Sequence, residues 1–200
     1  MADTGITLER IGRETVAVDI KGTAPLIVHK WDEKAKQQLL DKQQGKRAAK
    51  VAKDPDACYE ASMYRFEDGG HGFPVTGFKA ATVGAARYFQ TVKMTELKRA
   101  LFFHGDGPDQ LVRINGEPVM REDMVRVGMG TADIRFRAMY PDWSATLLVT
   151  YVKGLLDLNS VVALIDAGGM GGVGEWRPEK AATGSFGTYE VIGDASVVNL

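Results

Sequence analysis

Cysteine is nearly absent. Cys58 is the only one in 200 residues, which excludes an internal disulfide and any cysteine-rich zinc or iron–sulfur site. Histidine is scarce too: His29, His71 and His104 stand far apart with no HxH or HExxH spacing, so neither a metal nor a cofactor is expected. No apolar run approaches the ~18 residues that a membrane span requires. The opening MADTGITLER lacks the basic and then apolar segments of a signal peptide. A surplus of either charge is also missing. Lys and Arg number 25 against 26 Asp and Glu, which argues against a protein that coats duplex DNA by charge alone. The expectation is a cytoplasmic protein with no membrane partner, whose nucleic-acid role, if any, rests on a local basic patch.

What is present describes one globular domain over 1–200. Apolar residues make up 44% and charged residues 26%, enough for a single core. Val16, Val18 and Ile20 alternate with Ala17, Asp19 and Lys21, the period of a half-buried strand. Gly22 and Pro25 interrupt it before Leu26-Ile27-Val28, so one bent strand or two short ones over 14–28 fit equally. A lysine-rich segment follows, with Asp32 as its candidate helix N-cap and Ala35, Leu39, Ala48 and Ala49 as a narrow apolar stripe. Asp54-Pro55-Asp56 breaks it, 58–66 carries strand-compatible residues, and 67–72 is a turn.

Phe78, Ala81, Ala85, Tyr88 and Phe89 recur at helical spacing and predict a core helix over 77–90. A second helical stretch covers 95–103. Asn115-Gly116 predicts a type I′ hairpin between 111–114 and 117–120, with Pro118 placing its strand at a sheet edge. Residues 133–140 and 145–152 predict a second, central hairpin. Asn159 or Ser160 caps a helix ended by Gly168-Gly169, and 186–192 is a last strand. The order is the α+β, ferredoxin-like βαββαβ pattern: an antiparallel sheet with helices on one face. An insertion falls between the first strand and the central hairpin, with basic helix, loop and hairpin segments inside 29–130.

Residues 168–191 read GGMGGVGEWRPEKAATGSFGTYEV, seven glycines around Trp176-Arg177-Pro178. Such density asks for close backbone approach, and a mere spacer seldom sets an aromatic, a cation and a rigid φ side by side. This stretch resembles the glycine-rich loop that defines the RAMP superfamily, the repeat-associated proteins of CRISPR effector complexes. Its end, Gly184-Ser185-Phe186-Gly187-Thr188-Tyr189-Glu190-Val191, is similar to that family's Gly-x-Phe-Gly-x-Tyr-x-Val strand. Phe73-Pro74-Val75-Thr76-Gly77-Phe78-Lys79-Ala80-Ala81 is similar to the family's entry into its first core helix, and Pro25-Leu26 sits where its members leave the first strand for a ligand-facing loop.

The likeness is greatest to Cas7, the backbone subunit that polymerises along a guide RNA. It implies single-stranded RNA or DNA held without catalysis by a modified ferredoxin-like domain, in homo-oligomers that form a filament or a ring. A CRISPR subunit and a phage-encoded relative in the host cytoplasm both fit. The chain is shorter and more nearly neutral than that family, and 108–128 is the candidate for the family's inserted hairpin.

Holding a single strand takes cations along a path and planar groups on which bases stack. His29, Lys30, Trp31, Lys34 and Lys36 supply both at the exit of the first strand. Trp176, Arg177 and Lys180 supply both in the glycine-rich loop, whose Gly168, Gly169, Gly171, Gly172 and Gly174 form a candidate backbone cradle. Lys79 and Arg87 lie on the helix between, and Arg135 and Arg137 alternate on one strand face. Plainer readings stand beside these: a solvated helix face, apolar anchors for the tryptophans, and surface ion pairs for the arginines.

Two other functions compete. One is a homo-oligomeric structural or interaction protein that uses the fold without nucleic acid. The other is a metal-dependent ribonuclease, because some Cas7 relatives cleave through an aspartate after the first strand, where Asp54 and Asp56 fall. A proline-flanked turn explains those two more simply. The glycine-rich stretch also lacks the Lys-Ser/Thr of a P-loop and precedes a strand, so it is no nucleotide fingerprint.

Overall fold

The main layer is built around one strand of alternating burial, Arg13–Gly22. The structure is a computed structural model that describes residues 8–31, 37, 40, 41, 43–45, 52–127 and 130–198. In chain order the elements are β1 Arg13–Gly22, β2 Leu26–Val28, α1 Pro55–Ala61, β3 Tyr64–Arg65, β4 His71–Pro74, α2 Val75–Gly84 with a 3-10 extension Ala85–Tyr88, α3 Met94–Ala100, β5 Leu101–His104, β6 Leu111–Arg113, β7 Val119–Val127, β8 Thr131–Tyr140, β9 Ser144–Val152, α4 Leu158–Gly171, β10 Tyr189–Val191 and β11 Ser196–Val198. It is a mixed architecture of antiparallel sheets and short helices. Among the described residues no helix is long and apolar enough to cross a membrane.

The main sheet runs β10-β1-β9-β5, with β11 sharing the β10 edge of β1. Val16, Val18 and Ile20 point to one face and are fully buried with Leu147, Val149 and Leu101. Helices α2 and α4 cover that face, contributing Phe78, Val83, Val161, Leu164 and Ile165. Each such side chain adds roughly 1.5–3 kcal/mol of burial. Helix α4 begins at Asp157, whose carboxylate accepts the Ser160 N–H at 2.7 Å; that hydrogen bond holds the carboxyl below its usual range. The cap is thus two residues earlier than Asn159. The helix also outruns Gly168-Gly169, ending at Gly172, where φ of +70° breaks it.

Two smaller sheets, β2-β8-β7 and β3-β4-β6, sit beside the main one. They overturn both predicted hairpins. Residues 133–140 pair with β7 and β2, whereas β9 pairs with β1 and β5. The chain changes sheets at a corner where Trp143 lies flat against Gly22: a Cβ there would stand 2.1 Å from the indole nitrogen, which donates to Ala24 O at 2.9 Å. Asn115 does not turn a hairpin either. It exchanges backbone hydrogen bonds with Ser144 at 2.9 and 3.0 Å, clasping that same corner. Strand β7, which follows Pro118, does lie at a sheet edge.

Other boundaries moved less. The 14–28 run is two strands in two sheets. The stretch 95–103 switches from helix to strand at Leu101, giving the main sheet its outer strand β5. Within 58–66 only Tyr64–Arg65 is strand; Pro55 instead opens α1, capped by Asp54, whose carboxylate accepts the Ala57 N–H. The interval 29–130 therefore holds α2 and β5 of the main layer as well as the β3-β4-β6 sheet.

Candidate nucleic-acid interface

The glycine-rich stretch is laced between β2 and β10. Glu175 N donates to Ile27 O, Gly187 N to Pro25 O and Val173 N to Gly187 O, at 2.8–2.9 Å. The close approach that its glycines permit is to the protein's own backbone. A Cβ would meet Thr82 N at 2.9 Å from Gly168, Tyr189 O at 1.8 Å from Gly169, Phe186 O at 3.0 Å from Gly172 and Ile27 O at 2.4 Å from Gly174. Gly171 meets only the Glu179 side chain, at 3.5 Å. The loop tip is Trp176, 38% exposed, held at φ +54° and set edge-on to Phe186 with ring centres 6.5 Å apart.

Beneath that tip lies an arginine network on β7 and β8. Arg121 stands directly across the ladder from Arg137, an arrangement that like charges disfavour. Asp123 reconciles them. Its Oδ1 accepts Arg121 Nε at 2.8 Å and its Oδ2 accepts Arg137 Nη2 at 2.5 Å. Arg137 has no exposed surface and Asp123 only 7%. On the far side of the guanidinium, Glu175 Oε2 stands 3.5 Å from Arg137 Nη1. The Arg121 guanidinium lies 4.8 Å from the Phe186 ring centre and 5.9 Å from that of Trp176; Arg137 is also 5.9 Å from Trp176. Such contacts favour the cation modestly when exposed and more when dry.

His29, just past β2, faces the same cluster. Burial pushes its pKa below the ordinary 6.5, with Glu175 opposing that shift and Arg135 and Arg137 reinforcing it. A depressed histidine is neutral in the fold, so the unfolded chain takes up its proton first as the pH falls. Folding stability is therefore expected to decline as the pH drops below 6.5. His29→Gln should flatten that slope between about pH 6.5 and pH 5, read by urea denaturation across the range.

Of the residues singled out in the sequence, His29, Arg135, Arg137 and Trp176 come together. The others are placed apart or turned inward. Lys30 points to the β3-β4-β6 side, 5.7 Å from the Tyr64 ring centre and 3.9 Å from Asp109. Trp31 is 58% exposed. Lys79 lies over Phe102 at the β5 edge, and Arg87 pairs with Glu179 at 2.9 Å. Arg177 folds back to donate to Gly174 O at 2.6 Å, and Lys180 is exposed beyond it. Lys34 and Lys36, with the candidate cap Asp32 and most of the basic helix, lie outside the described residues.

Sequence reading missed Arg121, Asp123, Glu175 and Phe186. Arg121 and Asp123 do carry a signal, the i, i+2 spacing that puts both on one strand face opposite Arg135 and Arg137.

With that geometry in place, comparison with known proteins adds a fold. A solved structure of the Type III-B Cmr-beta bound to cognate target RNA matches 93% of this chain, with TM-score 0.52 and 9% identity. The likeness is one of fold. This chain spans only 61% of the length of that neighbour. Cmr6 from Pyrococcus furiosus also aligns, over 92% of this chain and all of its own, at TM-score 0.45 and 11% identity. No protein-family model matches the sequence, and no curated protein does.

Proposed function

We infer that the protein binds single-stranded nucleic acid, RNA in the first instance, across the β7–β8 surface beside the Trp176 loop. The observation that carries this reading is the cluster of Arg121, Arg137, Trp176 and Phe186, in which cations and aromatic faces lie within stacking distance of one another. Single strands are held by that combination, because every base has a face to stack and every nucleotide a phosphate. Fold supports it as well. The order β1-α2-β5-β9-α4-β10 within the main layer supports a ferredoxin-like reading in which β5 is the second strand and the remaining elements are insertions. The fold neighbour is a complex bound to target RNA.

His29, Trp31 and Arg135 extend the path at the first-strand exit, and Lys30, turned to the β3-β4-β6 side, is an outlying member. Lys34 and Lys36 follow in the chain; Lys79, Arg87, Arg177 and Lys180 are outlying members, and the loop glycines shape the tip. The proposed role is non-catalytic; of the two aspartates a nuclease reading would use, Asp54 and Asp56, the first accepts the α1 cap hydrogen bond from Ala57 N, which supports the non-catalytic role. Copies assemble along the strand, each adding modest affinity. Met124 and Ile134, paired across the exposed β7–β8 hairpin, offer the apolar surface for that contact.

Fluorescence anisotropy with labelled single-stranded RNA and DNA of one sequence, over a salt series, tests the reading. Binding that weakens as salt rises is expected. The Trp176→Ala, Arg121→Ala double variant should weaken it by roughly 10- to 100-fold, the worth of about one stacked base. No salt-dependent binding of either strand at micromolar protein overturns the proposal. Light scattering with and without RNA reads the assembly, and oligomers indifferent to RNA would favour a purely structural protein.

A further inference from the structure

Arg137 is buried more completely than its bonding accounts for. Among the described residues only its Nη2 has a hydrogen-bond acceptor, Asp123; Nε and Nη1 have none. The Glu175 carboxylate attracts Nη1 from 3.5 Å without completing a hydrogen bond. Undonated N–H groups on a buried cation are costly, so the guanidinium is matched to a better acceptor than the one it holds. The neighbouring His29 Nδ1 is also buried without a partner among the described residues.

The group that occupies the position is built to leave. The Glu175 side chain is 41% exposed, and no hydrogen bond holds its carboxylate to Arg137. The next residue, Trp176, sits at φ +54°, a left-handed conformation disfavoured for any side chain with a Cβ. Two backbone hydrogen bonds hold the segment, Glu175 N to Ile27 O at 2.9 Å and Phe186 N to Trp176 O at 3.3 Å, so an outward turn of 175–176 exchanges these for release of the left-handed backbone.

We propose that Glu175 is an internal stand-in for a strand phosphate, holding Arg137 in the free protein until a backbone phosphate displaces it and Trp176 swings out to meet a base. A phosphodiester, like a carboxylate, spreads one negative charge over two oxygens, but a strand phosphate is free to approach Nε and Nη1 together where the tethered Glu175 reaches only Nη1, at 3.5 Å, and charge-assisted hydrogen bonds of that kind are the stronger sort. The inference rests on the nucleic-acid reading above and adds its regulation. Affinity is set by competition between a tethered carboxylate and the incoming strand, so part of the binding energy goes into opening the loop.

Glu175→Gln, which keeps the shape and removes the competing charge, is the test. It should bind a labelled single-stranded RNA about tenfold more tightly at fixed salt. It should also gain a melting temperature that rises with inorganic pyrophosphate, where the unaltered protein shows none. Equal or weaker RNA binding by the variant, with the unaltered protein binding, overturns this inference and leaves the nucleic-acid reading standing. No RNA binding by either protein overturns that reading instead. A pyrophosphate response confined to the variant would then keep the anion seat, and its absence would remove the seat too. If Glu175→Gln proves poorly folded, Glu175→Asp decides the matter. A carboxylate drawn back by one methylene still tightens RNA binding if it is a competitor, and leaves it unchanged or weaker if the pair is only structural.

Discussion

Asp123→Ala should lower folding stability by about 3–5 kcal/mol, the range for removing one partner of a buried ion pair. The carboxylate is the single group that neutralises two guanidinium groups placed opposite one another on β7 and β8. Without it, Arg137 keeps a buried charge whose remaining acid, Glu175, is 3.5 Å away and partly in water. Urea denaturation reads the loss. A change below about 1 kcal/mol would mean that Arg137 escapes to solvent and that the network is a surface feature. Replacing both partners, as Asp123→Leu with Arg137→Met, should recover most of the stability, because apolar side chains of similar volume carry no desolvation cost. The same double variant should lose strand binding. Stability and function part company there, which is the mark of a charge kept for recognition.

Gly169→Ala should behave against the usual rule. Inside a helix that exchange ordinarily gains up to about 1 kcal/mol. Here the new methyl would stand 1.8 Å from Tyr189 O and 2.7 Å from its carbonyl carbon, so β10 has to move away from α4. Backbone cannot yield as a side chain does, and overpacking of this kind costs roughly 1–3 kcal/mol or more. Gly171→Ala is the control. Its methyl meets only the flexible Glu179 side chain at 3.5 Å, so it should be neutral or slightly stabilising. A thermal or urea melt of the pair gives the answer: equal behaviour would place β10 loosely on the helix.

What could be read from sequence follows from which forces are local. The alternation of Val16, Val18 and Ile20 survives into β1 because burial on one face imposes the period of two. Helix α4 was legible from the helical spacing of Val161, Leu164 and Ile165, although its close falls at Gly172 instead of Gly168-Gly169. Partner choice was not: residues 133–140 and 145–152 each alternate as strands do, and nothing in that period says that one joins β2 and β7 while the other joins β1 and β5. Strand β5 was hidden because Ala100-Leu101 passes from helix to strand with no breaking residue between. In the candidate site, type and spacing pointed to Arg137 and Trp176, which lie 5.9 Å apart, guanidinium to ring centre. Asp123 and Glu175 were overlooked because an acid among basic residues reads as a solvated surface group, and only the burial of Arg137 shows otherwise. Trp31 was offered both as a stacking group and as an apolar anchor; its exposure leaves the stacking role open.

The position of β1 has a consequence for the order in which the chain can fold. Its neighbours are β9, β10 and β11, and the Thr15 and Thr150 hydroxyls that meet across the β1–β9 pair are 135 residues apart in sequence. Pairing on one edge of β1 therefore waits for β9, and pairing on its other edge for β10 and β11. Contacts of such long range slow folding, since the loop must close before any pairing repays it. Until β9 arrives, Val16, Val18 and Ile20 form an unsheathed apolar ribbon open to mispairing with another chain.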